Sequence, residues 1–298
     1  MPPASSADLT VQGRDLPLDA HVHTDLSPDS DVPIDAYAAQ AVERGIAEFA
    51  VTDHVDFVPG TPAYAFTTFA ERERIVREAA ERWGPHGVAI RFGVEITYDH
   101  RHEPEIREHL ARHPYDYVIG SVHVYADSPF HASRVAAWTA GRPIAQVVEP
   151  YFDEVLRAIR SGLFDTLGHL DFVKRYLTPH VTPADLAAAP ELYEPLLVAL
   201  VDTGTALEVN TSGLRQSPAE TYPAAPIVDR YRVLGGTAVS AGSDAHRAGS
   251  FTSGLEAGYR VVAAAGFGQL AVRRGGSRVS VTLPDRFGTR GGAEGATT

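Results

Sequence analysis

The 298-residue chain contains no cysteine, which excludes disulfides, thiolate metal sites and cysteine nucleophiles. Any metal bound here must take nitrogen or oxygen ligands. Basic residues are scarce beside acidic ones, 26 against 38. The formal charge of -12 argues against general binding to nucleic acid or to anionic membrane surfaces, since both need an excess of Lys and Arg. Long apolar runs are missing too, and positions 1–13 lack a basic start followed by an apolar stretch. Neither a membrane span nor a signal peptide is expected, so the default location is the cytoplasm. No linker rich in Gly, Ser or Pro interrupts the middle of the chain, which predicts a single domain.

What is present is a hydrophobic fraction of 44%, enough for a large core, and it is arranged in a repeating pattern. Seven short, mostly apolar runs each end in a residue able to bind a metal. The first, 16–20, leads into His21-Val22-His23. An HxH pair at a strand end puts two imidazoles on the same side of the pleat, where they can share one cation. The pattern recurs at Phe49-Ala50-Val51-Thr52-Asp53-His54, Phe92-Gly93-Val94-Glu95, Val118-Ile119-Gly120-Ser121-Val122-His123, Leu167-Gly168-His169-Leu170-Asp171, Leu207-Glu208-Val209-Asn210 and Val239-Ser240-Ala241-Gly242-Ser243-Asp244-Ala245-His246.

Between these runs lie segments of helical character at 34–44, 69–83, 103–113, 144–161, 183–203, 224–234 and 253–265. In 69–83, Phe69, Ile75, Val76, Ala79, Ala80 and Trp83 share one face, while Glu and Arg residues cover the other. Strand and helix alternate throughout, which predicts parallel βα units and a closed or nearly closed α/β barrel. The barrel is expected to occupy 16–285. The ends, 1–15 and 286–298, carry little apolar content and are expected to be flexible.

In such a barrel the C-terminal ends of the strands converge on one face. His21, His23, Glu95, His123, His169, Asp244 and His246 would then form one ring. Buried imidazoles and carboxylates cost free energy unless paired or metallated, so a fold that gathers this many needs cations. A ligand set of imidazole and carboxylate suits Zn, Mn or Fe better than Ca or Mg. A central carboxylate such as Glu95 can bridge two ions, and clusters of this type hydrolyse phosphate esters. Asp53 and Asp171, each beside a ligand histidine in sequence, are candidates to orient the imidazoles.

With these strand ends laid out, the chain resembles the polymerase-and-histidinol-phosphatase (PHP) superfamily, and within it the histidinol-phosphate phosphatases. The resemblance rests on His21-Val22-His23-Thr24, Ser27-Pro28-Asp29-Ser30, Thr52-Asp53-His54, Gly93-Val94-Glu95, Gly120-Ser121-Val122-His123, Gly168-His169-Leu170-Asp171 and Ser243-Asp244-Ala245-His246. It implies a distorted (βα)7, TIM-like barrel with three divalent ions. The first would sit on His21, His23, Glu95 and Asp244, the second on Glu95, His123 and His169, and the third on Asp29, His54 and His246. Many members of the superfamily have His where Asp29 stands. The segments 168–176 and 210–215 resemble those of the phosphatase branch. They imply that Arg175 and Arg215 bind phosphate, with Lys174 as a weaker neighbour.

The activity implied is hydrolysis of L-histidinol phosphate in histidine biosynthesis. Glu95, Asp244, His246, Arg175 and Arg215 form the expected catalytic set, and Asp99 or Glu103 could receive the substrate amine. The expected partner is a small phosphate ester, with neither nucleic acid nor membrane. Rival readings are a PHP phosphoesterase acting on nucleotides or another phosphorylated metabolite, and a noncatalytic metal-binding module.

Overall fold

Among the described residues ten strands form in chain order: β1 (Asp19–Val22), β2 (Glu48–Val51), β3 (His54–Val55), β4 (Ala89–Thr97), β5 (Tyr117–Ser121), β6 (Thr166–Leu167), β7 (Ala206–Asn210), β8 (Val239–Gly242), β9 (Gln269–Arg274) and β10 (Ser277–Thr282). This computed structural model describes residues 16, 18–274 and 276–288, so most of the two ends expected to be flexible lies outside the described residues. Strands β1, β2, β4, β5, β6, β7 and β8 pair in that order, all parallel, with β3 also on β4. β2 and β3 are two pieces of one barrel position. They pair with successive stretches of β4, Ala89–Phe92 and Glu95–Ile96, on either side of a break at Thr52 and Asp53. Seven positions result, as expected of a (βα)7 barrel in a single domain.

The ring closes between β1 and the residues following β8. The His23 amide donates to the Ala245 carbonyl at 2.9 Å, and the Asp244 amide donates to the His21 carbonyl at 2.8 Å. Because helices cover the outside and side chains fill the inside, the strands are buried on both faces. This explains why they read as near-continuous apolar runs.

The helices Ile34–Arg44, Phe69–Trp83, Glu103–Arg112, Ile144–Ser161, Ala225–Val233 and Leu255–Ala264 fall where expected to within two residues. Thr68 caps the second of these by accepting from the Glu71 amide. The segment 183–203 is not one helix. It divides into Pro183–Ala187, a 3-10 turn Pro190–Leu192 and Glu194–Thr203. Pro190 has no amide proton to donate into a continuing helix, and its ring disfavours helical backbone in the residue before it.

The antiparallel β9–β10 hairpin lies outside the expected βα pattern. It is pinned to strand N-termini by Arg274, which shares Glu48 at the start of β2 with Arg91, and by Arg273, 3.6 Å from Asp165 just before β6. Packing extends past residue 285, since Phe287 is buried edge-on against Tyr259.

Candidate metal centre

Apart from Asp29, which lies in the loop after β1, the expected ligands lie near the C-terminal ends of the barrel strands. The period of two along β1 brings His21 and His23 inward together, both fully buried, with their Nε2 atoms 3.0 Å apart. Close approach between strands is needed here. A Cβ at Gly242 would overlap His21 Cβ and stand 2.9 Å from Glu208 Oε1. His169 and Asp244 adopt positive φ, 22° and 52°, a strained conformation for residues with a Cβ. Such strain persists where the surrounding structure imposes it.

Glu95, buried in β4, divides its carboxylate between two groups. Its Oε2 lies 3.3 Å from His21 Nε2, 3.3 Å from His23 Nε2 and 3.0 Å from His54 Nδ1. Its Oε1 lies 2.9 Å from His169 Nε2 and 3.6 Å from His123 Nε2. Asp244 Oδ1 stands 3.5 Å from His23 Nε2 and 3.3 Å from His246 Nδ1. A third group gathers at the rim, where Asp29 Oδ2 is 3.4 Å from His54 Nε2 and 3.2 Å from His246 Nε2. The expected ligands thus all converge, and their burial decreases from His21 and His23 outward to Asp29, about half exposed.

The donor set fits divalent cations. Glu95 Oε2 is buried without a hydrogen bond although three imidazole nitrogens face it. Two ligands on one tetrahedral ion, each about 2.0–2.1 Å from it, lie about 3.3 Å apart, close to the spacing of His21, His23 and Glu95.

Burial pulls His123 down to about 4, and burial together with the imidazoles of His246 and His54 holds His23 well below its ordinary value. Burial opposes charge on His21 and His54 as well. Glu208, Glu95 and Asp244 override it at His21, as Glu95 and Asp29 do at His54, and raise both pKa values well above normal. Glu95, despite its own burial, is held well below the usual carboxylate range by His21, His54 and His123. The carboxylates that favour a proton on His21 and His54 would equally favour a cation beside them.

The residue that orients the ring is Glu208, which the sequence reading included in a strand run without giving it a role. Its Oε1 accepts from His21 Nδ1 at 2.6 Å, and its Oε2 accepts the His169 amide at 2.8 Å and Asn210 Nδ2 at 3.1 Å. Period two was the available signal, because Glu208 and Asn210 are polar residues sharing one face of an otherwise apolar strand. The two candidate orienters do other work. Asp53 accepts from the Thr24 amide and hydroxyl, and Asp171 binds Lys174 and the Tyr193 hydroxyl.

Among the residues expected near phosphate, Arg175 is exposed and lies over Phe172, whose ring packs on His169 at 4.6 Å. Arg215 donates to the carbonyls of Ser243 at 2.7 Å and Ser253 at 3.1 Å. Lys174 departs from expectation. Its ammonium is buried and its three protons face Glu220, Asp171 and the Thr221 carbonyl, which leaves none for phosphate. Asp99 and Glu103 are likewise taken, by Arg101 and by Arg107 with Tyr98.

A family model of the PHP domain matches residues 19–212. The chain belongs to the PHP-domain family. A probable histidinol-phosphatase of Deinococcus radiodurans is 31% identical over 242 residues, 78% of this chain and 86% of that protein. One of Thermotoga maritima is 29% identical over 255 residues, 86% and 95% of the two chains. Among solved structures, histidinol phosphate phosphatase from Lactococcus lactis, complexed with zinc, L-histidinol and phosphate, is similar with a TM-score of 0.77. That pair is 25% identical and spans 88% of this chain and 98% of the other. The PHP domain here has no helix, among the described residues, that is long and apolar enough to cross a membrane.

Proposed function

We propose that this PHP-domain chain is a metal-dependent phosphomonoesterase converting L-histidinol phosphate to L-histidinol and phosphate. The observation that carries the reading is the division of one buried carboxylate, Glu95, among five imidazoles. Its likeness to relatives named histidinol-phosphatases supplies the substrate.

The residues are suited to three ions of the Zn, Mn or Fe class. The first would be held by His21, His23, Glu95 and Asp244, the second by Glu95, His123 and His169, and the third by Asp29, His54 and His246. Such ions, when bound, supply a water acidic enough to attack phosphorus near neutral pH and positive charge for the phosphoryl oxygens. Glu95 faces both groups, with Oε2 toward His21 and His23 and Oε1 toward His123 and His169, and would bring the first two ions to one phosphate. Arg175, at the open rim, is free to turn its guanidinium to that phosphate. Arg215 keeps its donors beside Asp244, where a fork that stays charged at all relevant pH offsets charge on the equatorial oxygens. Glu208 fixes His21 with its Nε2 directed into the site.

Phosphate release from L-histidinol phosphate by metal-replete protein, set against a nucleotide monophosphate series, tests the proposal. The expected result is a kcat/KM higher for histidinol phosphate by orders of magnitude. Preference for a nucleotide would assign another phosphoesterase substrate, and absence of all turnover with full metal content would assign a noncatalytic role.

A further inference from the structure

Lys174 is the only lysine in the sequence, and its ammonium is among the most deeply buried groups in the protein. We propose that it is a positioning residue, a latch that sets where Arg175 and Arg215 stand relative to each other. The inference rests on the reading of those arginines as phosphate ligands.

Lys174 opens a single-turn helix, Lys174–Leu177, in the segment after β6. Its side chain turns inward while that of Arg175, the next residue, lies in solvent. Lys174 Nζ donates to Glu220 Oε1 at 2.8 Å and to the Thr221 carbonyl at 2.8 Å, both in the segment after β7, and lies 3.0 Å from Asp171 Oδ2 in its own segment. It also stands 4.9 Å from the centre of the Tyr222 ring. The ammonium therefore joins two loops that no strand pairing joins.

The second loop carries Arg215. Its ends are tied where Asn210 and Tyr222 exchange backbone hydrogen bonds, each 2.9 Å. Inside it, Gly213 packs so closely on the Glu220 carbonyl that a Cβ would not fit. Holding Glu220 and Thr221 therefore holds the turn that presents Arg215. A further bond, from the Ser217 hydroxyl to the Arg175 carbonyl at 2.9 Å, ties the loops directly beside the other arginine. An ammonium without a strong partner in this place would be costly. With three acceptors arranged around it, it fixes a geometry that an apolar residue of similar size would leave free.

The test compares Lys174→Met, Glu220→Gln and the double variant in metal-replete protein, using inorganic phosphate as the probe. Calorimetry gives phosphate affinity, and elemental analysis gives metal content. Each single variant is expected to bind phosphate roughly 10- to 100-fold more weakly, the scale of a misplaced positioning group, with metal content unchanged. The double variant should be little weaker than either single one, because both remove the same latch. With histidinol phosphate the loss should fall mainly on KM.

Three results would overturn the proposal. Unchanged phosphate affinity in folded Lys174→Met, with only a lower melting temperature, would make the network purely structural. A Glu220→Gln variant with wild-type affinity beside a weakened Lys174→Met would make the lysine a direct phosphate ligand. Loss of metal in Lys174→Met would place its effect in the metal centre. Should Lys174→Met fail to fold, Glu220→Gln and Ser217→Ala carry the test, since Glu220 is about one-third exposed and Ser217 is exposed. Because phosphate binding is read without turnover, the latch is judged separately from the choice of substrate.

Discussion

Glu208→Gln is nearly isosteric, yet it should disable the metal centre, because the site needs two acceptor oxygens and an amide offers one. In the native arrangement Oε1 accepts from His21 Nδ1 at 2.6 Å, and Oε2 accepts from the His169 amide and from Asn210. If the glutamine keeps its oxygen toward His21, its NH2 confronts the His169 amide, and a buried backbone donor left unpaired costs about 1–3 kcal/mol. In the opposite orientation the NH2 faces His21, which can satisfy it only by moving its own proton to Nε2, the nitrogen directed at the cation. Either way one of the two groups sharing Glu95 is impaired. Loss of a partner that orients a ligand imidazole typically weakens metal binding about 10- to 100-fold, or about 1.4–2.7 kcal/mol. Zinc titration against a competing chelator reads the loss of metal affinity. Melting of the metal-free protein reads the cost of the unpaired donor, as a fall of about 2–4 °C for each kcal/mol lost. A variant that binds zinc as tightly as the wild type and melts at the same temperature would refute the reasoning.

Metal uptake should release protons, because His21 and His54 carry raised pKa values set by neighbouring carboxylates and must lose their protons to coordinate. Calorimetry in buffers of different ionisation enthalpy should show this release, with apparent affinity falling as pH is lowered. A buffer-independent heat would contradict it. Arg215→Ala should weaken phosphate inhibition and kcat/KM by roughly 2–4 kcal/mol, whereas His123→Ala should deplete metal and lose turnover even at saturating substrate. Unchanged phosphate inhibition in Arg215→Ala would make that residue a clamp on the Ser243 carbonyl alone. Gly242→Ala should reduce metal content without touching a ligand, because the new methyl group would displace His21. Full occupancy by elemental analysis would count against that packing argument.

The convergence of the candidate ligands was legible because strand ends impose a period of two and a barrel gathers those ends on one face. Asp29 is different, since it lies in a loop and the resemblance alone singled it out. Glu208 was hidden by its surroundings, since an acidic residue inside an apolar run does not reveal whether its partner is a metal or an imidazole. Nearness in sequence misled at Asp53 and Asp171, where the chain turns the carboxylates away from the adjacent histidines toward Thr24 and Lys174. Arg175 and Lys174 are adjacent in sequence, but on a helical turn successive side chains diverge by about 100°, so one is exposed and the other buried. The hairpin 269–282 escaped because its second strand alternates exposed and half-buried residues at the barrel's base, with no ligand at its end to mark it.

The backbone bonds that close the barrel come from His21, His23, Asp244 and Ala245, three of them candidate metal ligands. This couples the chemistry to chain length rather than to side-chain identity alone. Exchanging one ligand for another leaves the amide and carbonyl in place, so the metal set can be varied by point substitution while the ring stays shut. Adding or deleting one residue between Gly242 and His246 shifts the register of the last two ligands and breaks the closure in the same event.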